Sequence, residues 1–337
     1  MREKINKKPH PKKRKVFTII GICFASFFTL IFLCWGGLNC IKFGIYNEYY
    51  SLRSQPASIP GLKDGFVPQG ITYLGNDDSY ALAGYMNDGS TSRIYTTDKD
   101  NNVKYFNLTS DGENFYGHTG GLTFVKIDEN TQKMYLASEL YNNGPTGGVY
   151  SFDTSCLNQA SGTNIELGSP IKVNNNSSYI FSDDNYVYVG EFNNYDYVCA
   201  NDVKVDENTT NHAIISKYSV KDTSFLEPLE IYSIRDEVQG CAVKNNTLIL
   251  SVSYGLKDSH LYFYDLKNTR NSDKKLGDIT IQILSDPIRD IKAPCMLEDL
   301  DLNSDQTKLL TVYECGSSRY VIGAFFFANK LIEIKLD

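Results

Sequence analysis

The chain of 337 residues is 42% apolar, 13% aromatic and 22% charged, a mix too apolar for disorder and without a collagen-like glycine period. Its net charge of −7 hides a division: eight Lys or Arg stand in residues 1–15, whereas residues 43–337 carry 24 basic against 39 acidic residues. An acidic body of that kind repels phosphate backbones, so nucleic acid is excluded as a natural partner.

Residues 1–15 form a basic tail, and no charged side chain occurs from Val16 to Ile41. About 20 apolar residues in a helix cross a hydrocarbon core, so residues 16–41 read as one transmembrane signal-anchor helix. The crowd of Lys and Arg before it, against Lys42 and Arg53 after it, orients the N-terminus to the cytoplasm and residues 43–337 outside. Trp35 and Tyr46 suit the outer interface. A cleavable signal peptide would have a shorter apolar region and a small-x-small exit, and no A-x-A is present. Leu33 before Cys34 and Asn39 before Cys40 do not fit a lipoprotein signal, and the basic run Pro11–Lys15 abuts the span, as an orientation signal does. Residues 42–58 then read as a juxtamembrane linker, and 59–337 as an extracytoplasmic domain.

Beyond residue 50 no long 3.6-residue apolar period occurs. Short runs rich in Tyr, Val, Ile and Phe alternate with Asn, Asp, Gly and Ser clusters, which is the pattern of an all-β protein. A strand triplet recurs: VPQGITYL, SYALAGYM, SRIYTTD; then HTGGLTFV, KMYLASEL, GGVYSFD; then SSYIFSD, NYVYVGEF, AIISKYSV; then VQGCAVK, TLILSVSY, SHLYFYDL; and finally MLEDLDLN, KLLTVYEC and a diverged KLIEIKLD. The period is about 50–60 residues. One such sheet cannot bury both faces, whereas a ring of them can, so the expected fold is a β-propeller of five blades. Six remain open, since Tyr195–Asn211 and Lys267–Ile291 are long enough to hide strands, and a β-sandwich is the bland alternative.

The strings GFVPQGIT, GHTGGLT, YVYVGEF, VQGCAV with SVSYG, and APCMLEDLDL with VYECGSSRY resemble an uncharacterised family of membrane-anchored or secreted propellers of Gram-positive bacteria. The resemblance spans roughly Ile59 to Tyr320 and implies fold and location but no reaction. Family-like members read PPMSEG in the fifth unit; here Pro294–Asp299 keeps the Glu and loses the Gly. Gln69-Gly70 also resembles the first strand of plant-type glutaminyl cyclases, but the Glu expected in the next strand is replaced by the run Leu82-Ala83-Gly84-Tyr85.

In an antiparallel blade the start of the first strand and the end of the second share one rim. The repeats align Gln69, Gly120, Gln239 and Glu298 at the first position, with His118 and Met296 two residues earlier. Tyr85, Glu139, Glu191, Ser253 and Glu314 align at the second. The expected ligand-binding set is therefore Gln69, Tyr85, His118, Glu139, Glu191, Gln239, Glu298 and Glu314. Crowded carboxylates invite a hard cation, so Glu139, Glu191, Glu298 and Glu314 form a candidate Ca²⁺ site. Glu298 and His118 are the candidate general acid and base.

These residues lead to a single-pass cell-membrane protein whose propeller binds a glycan, peptide or protein at the cell surface. The alternative is a hydrolase or lyase using the rim carboxylates, with or without Ca²⁺. The Tyr- and Asn-rich loops Asn87–Ser92, Tyr141–Gly147, Asn193–Asn211 and Gly255–Ser259 suit such surfaces. The repeated Ser92, Ser259 and Ser318 lack a nucleophile-elbow context and read as turn-bonding residues. Asp98-x-Asp100-x-Asn102 lacks the Gly and Glu of a calcium loop, and His212 and His260 read as surface or satisfied side chains. Of Cys156, Cys199, Cys241, Cys295 and Cys315, Cys241 aligns with buried apolar positions, and Cys295 and Cys315 are close enough in the last unit to pair.

Overall fold

The computed structural model describes residues 11–128, 131–140, 146–173, 176–194, 211–320 and 322–336; the side chains of 11–18, 21, 23, 139, 140, 146, 147 and 324 lie outside that description. The chain divides into two compact units, Met1–Tyr50 and Ser51–Asp337.

The first unit is built on a 35-residue helix, Pro11–Ile45. Within it Phe24–Ile45 is long and apolar enough to cross a bilayer, and Phe24, Phe28, Leu30, Phe32 and Leu33 are exposed along it. The helix thus continues past Ile41 and Lys42 to Ile45.

The second unit is all β, in five sheets. Blade one comprises Phe66–Tyr73, Tyr80–Met86, Arg93–Thr97 and Val103–Ser110. Blade two comprises His118–Lys126, Gln132–Leu140 and Thr146–Asp153, and blade three opens with Tyr179–Ser182, Tyr186–Gly190, Ala213–Ser219 and Glu230–Ile234. Blade four has Val238–Lys244, Thr247–Val252, Ser259–Asp265 and Arg289–Ala293. Blade five has Leu297–Leu302, Lys308–Tyr313 and Ile332–Lys335.

The first strand of each blade is innermost. These strands follow one another around an axis, and the fifth lies beside the first, which closes the ring. The apolar cores sit between blades. Ala83, Ile94, Phe106, Leu122, Leu136 and Tyr150 join blades one and two, while Phe66, Ile71, Leu82, Leu310 and Val312 join blades five and one.

The long stretch Lys267–Ile291 does contain hidden strands, yet they make no sixth blade. Ile279–Leu284 runs parallel to Glu230–Ile234 and carries Thr269–Leu276 with it, widening blade three, while Arg289–Ala293 completes blade four. Asn164–Leu167 likewise crosses from blade two to run parallel to Val103–Ser110 of blade one. These additions cover strand edges that would otherwise expose unpaired amides. Residues 195–210 of the other long insert lie outside the described residues.

The ring is latched by chain termini. Arg53–Ser54, in the stretch read as a linker, pairs antiparallel with Ile332–Lys335 as the outer strand of blade five. The buried Glu333 holds this latch: it accepts from Ser54 Oγ at 3.0 Å, Lys308 Nζ at 3.0 Å and Tyr73 Oη at 3.2 Å. Glu333→Ala should strand the Tyr73 hydroxyl, while the half-exposed Lys308 ammonium turns to water, and cost about 1–3 kcal/mol. Urea denaturation of the full-length chain in detergent measures it; an unchanged midpoint would remove Glu333 from the latch.

Candidate functional site

The site begins with a backbone irregularity. The inner strand of blade one carries a β-bulge between Pro68 and Gly70, blade two one between His118 and Gly121, blade four one between Val238 and Gly240, and blade five one between Leu297 and Leu300. The positions aligned from the repeats, Gln69, Gly120, Gln239 and Glu298, all fall inside these bulges, with Thr119 beside Gly120 and Asp299 beside Glu298. A bulge leaves its extra residue out of the ladder and re-aims the side chain. Four blades repeat the device, and the three of these residues that carry a side chain, Gln69, Gln239 and Glu298, line one opening at the axis. Two residues earlier in blades four and five, Glu237 and Met296 hold left-handed φ values of 66° and 64°, rare for non-glycine residues and common where a site constrains the chain.

A cavity of about 430 Å³ opens at this end of the axis. Six expected site residues line it: Gln69, Tyr85, His118, Gln239, Glu298 and Glu314. Phe192, Ser253, Tyr254, Met296, Arg319 and Tyr320 also contribute, and of these the repeat alignment had marked only Ser253 and Met296.

Two expected members are left, and only one of them can be placed. The side chain of Glu139 lies outside the described residues. Glu191 is fully buried, and its oxygens accept from Asn176 N and Ile214 N, each at 3.0 Å. It follows directly on the end of its strand and satisfies backbone amides there, so it does not line the cavity. Among the described residues no group of three or more His, Cys, Asp or Glu side chains is placed to hold a metal ion. The four-carboxylate cation site therefore does not assemble from the described side chains.

The two carboxyls that do line the cavity differ sharply. Glu314 Oε1 accepts from Tyr85 Oη and Tyr320 Oη, both at 2.8 Å, and Arg319 donates to Tyr85 Oη at 2.8 Å. Burial first, then the Glu314 charge, pushes both phenols well above their usual range, so they remain donors. Glu298 is 3% exposed and makes no side-chain hydrogen bond among the described residues. Burial, reinforced by Glu314 and Asp299, pushes its carboxyl well above the usual carboxylate range. The folded state then keeps a proton that the unfolded chain releases, so Glu298 destabilises increasingly as pH rises from its ordinary carboxylate range toward its folded pKa. Glu298→Gln should raise stability at pH 7 and lose that advantage near pH 4, read from denaturation midpoints across pH.

Around Glu298 stand aromatic rings. Tyr85 and His118 lie 5.9 Å apart between centroids, Phe192 and Tyr254 6.0 Å. Gln69 Nε2 donates to Pro68 O at 3.0 Å, and Gln239 Nε2 to Ser253 O at 3.4 Å. Below the mouth Cys295 and Cys315 are buried free thiols, not the disulfide the sequence allowed, and Cys315 Sγ donates to Cys295 O at 3.5 Å. The buried Cys241 fills an apolar position, as its alignment implied.

Other sequence features take structural roles. Ser92 donates to Gly117 O, and Ser259 to Ser253 Oγ. Asp98 accepts from Asp100 N and Asn102 N in a turn. His212 pairs with Asp236 and His260 with Asp290.

No family model and no curated protein matches the chain. Solved structures do. A putative glucose dehydrogenase of Thermus thermophilus is 11% identical over 84% of this chain and 99% of its own, with a TM-score of 0.45. The soluble aldose sugar dehydrogenase of Escherichia coli is 10% identical over 77% and 82%, TM-score 0.45. The RS223 β-xylosidase is 10% identical over 83% and 95%, TM-score 0.44. At such scores neither reaction nor substrate transfers. The resemblance to Gram-positive propellers accordingly rests on its own sequence strings, and that to glutaminyl cyclases on Gln69-Gly70.

Proposed function

We propose that this chain is a single-pass membrane protein whose propeller, held outside the cytoplasm, binds a small polar ligand or the tip of a cell-surface peptide or glycan in the axial cavity. The observation that carries this reading is the repeated bulge. Four blades carry the bulge, and three of them use it to turn a polar side chain, Gln69, Gln239 or Glu298, into one opening, where folding alone would be served by regular ladders. The apolar helix with its basic N-terminal flank supports the location and orientation.

A second reading has one observation of its own. A carboxyl buried to 3% exposure beside an open cavity, where burial favours its protonated form, is what a general acid requires, so a hydrolase using Glu298, with His118 as its partner, is the alternative.

Ligand-observed NMR on the full-length chain in a polyoxyethylene detergent, against glycans, peptides and small polar metabolites, tests binding. Hits should vanish in Gln239→Ala and Tyr254→Ala and persist in Asp98→Asn, far from the cavity. Hits indifferent to the cavity variants would sink the assignment, while turnover of a hit that stops in Glu298→Gln would favour the enzyme. Orientation is read separately: a membrane-impermeant protease applied to intact cells should digest the propeller, and full protection reverses the topology.

A further inference from the structure

Resting on the axial cavity as a binding site, we infer that its ligand is an organic cation bearing N–H donors, a primary ammonium group in the simplest case. Three independent features of the cavity lead there. The first is hydrogen-bond polarity. Pro68 O and Ser253 O can only accept, so the groups facing them are the amide nitrogens of Gln69 and Gln239. The amide oxygens of both glutamines are thereby left without a hydrogen bond among the described residues, and both glutamines line the same cavity as Glu298, whose carboxyl has none either. The two amide oxygens are acceptors, and Glu298 becomes one when it gives up its proton, which calls for a ligand rich in donors.

The second feature is charge. Arg319, the cation lining the cavity, is exposed and directed to Tyr85, whose hydroxyl in turn serves Glu314. Glu298 has no such compensation and lies 3% exposed between Glu314 and Asp299. A buried carboxyl is costly when charged and alone, and a cation delivered by the ligand removes that cost.

The third is the wall. Tyr85, His118, Phe192, Tyr254 and Tyr320 present aromatic rings around the same space. Ring faces attract ammonium groups and exclude water from them. An uncharged sugar would use the rings but would leave Glu298 without a counter-charge.

Binding then proceeds with a defined proton balance. The free site holds Glu298 protonated; when the ammonium enters, the carboxyl proton passes to the buffer and the carboxylate pairs with the ligand. The groups facing Glu298 that could also titrate are His118, Glu314, Asp299, Tyr85, Tyr320 and Cys315, with Arg319 a constant charge.

The test uses n-butylammonium chloride as probe and n-butanol as its neutral counterpart, by calorimetry on the full-length chain in a polyoxyethylene detergent. Butylammonium should bind and butanol should not. Affinity should rise with pH from 5, approaching tenfold per unit while Glu298 is protonated, with buffer-dependent heats that report the released proton. Glu298→Gln should weaken binding at least tenfold and flatten the pH dependence, whereas His118→Asn should keep that dependence. Tetramethylammonium, a cation without N–H, should bind at least fivefold more weakly. Parity of tetramethylammonium, or butylammonium binding unchanged in Glu298→Gln, overturns the inference. If methyl glucosides bind in a Tyr254-dependent manner and butylammonium does not, the cavity remains a binding site and the cationic ligand is wrong. If neither binds, the inference fails, and the NMR screen decides the site.

Discussion

Asp299→Ala is expected to destabilise the propeller by about 3–5 kcal/mol, whereas Asp299→Asn keeps most of its stability at pH 7. The side chain is fully buried near the axis, where Oδ2 accepts from Ile71 N of blade one and Leu122 N of blade two, both at 3.1 Å. One carboxyl of blade five thus ties three inner strands together. Alanine leaves two buried amides without partners, each costing about 1–3 kcal/mol, and opens a small void besides. Asparagine retains an oxygen for both amides. It also escapes a penalty that aspartate carries: burial pushes the Asp299 carboxyl well above its usual range, despite the amides that oppose the shift. In the interval between the unfolded and the folded pKa the native state binds more protons, so the stability of the wild type falls as pH rises. Asp301 acts in the same direction. Its carboxyl is pushed up to about 6 by burial while accepting from Thr72 Oγ1 at 2.7 Å and Tyr73 N at 2.8 Å, so its share is present below about pH 4 and gone above about pH 6. Urea midpoints from pH 4 to pH 8 read both effects. Asp299→Asn should gain on the wild type as pH rises, and a gain that grows toward acid would show the sign to be wrong.

The repeated triplet made the blades legible, because the inner strands keep their apolar residues in register and three of them share a glycine at one position, Gly70, Gly121 and Gly240. The same alignment found Gln69, Gln239 and Glu298 without revealing why they are special. A bulge is a mismatch between two strands, and one strand's sequence does not display it. Glu191 shows the complementary failure. It occupies the strand-end position of Glu314, but its own chain end needs acceptors for Asn176 N and Ile214 N, a local demand that no repeat pattern carries. Arg319 and Tyr320 sit in the diverged tail of the fifth unit, so alignment could not assign them; the string ECGSSRY placed them within a few residues of Glu314, which was the available signal. The crossing strands Asn164–Leu167 and Ile279–Leu284 escaped notice because they pair outside their own repeat, in parallel, with partners more than 40 residues away. The latch strand Arg53–Ser54 is too short to have a period at all.

Gly121→Ala should cost at least about 3 kcal/mol and loosen the cavity as well. The inner strands approach one another backbone to backbone at the axis. A Cβ on Gly121 would stand 2.4 Å from Ile180 N and 2.8 Å from Tyr179 Cα of blade three, where no side chain can swing away. Gly70 and Gly240 meet the next blade in the same manner, at 2.9 Å from Gly121 C and 2.6 Å from Asp299 Cα. Glycine is needed at Gly121 for space and not for conformation, since its φ is not positive. Relief requires blades two and three to part, which lengthens the Asp299 bond to Leu122 N next door and stretches the contact where Gly120 lies against Ser178 O at the mouth. Overpacking alone costs about 1–3 kcal/mol, and the strained buried hydrogen bond adds to it. Gly168→Ala provides the contrast: its added Cβ meets Ser151 O at 3.7 Å, an ordinary contact, so its midpoint should stay within about 0.5 kcal/mol of the wild type. Equal midpoints for the two variants would mean that the inner strands are not in backbone contact, and a ring without that contact could not bring the bulges of four blades to one opening.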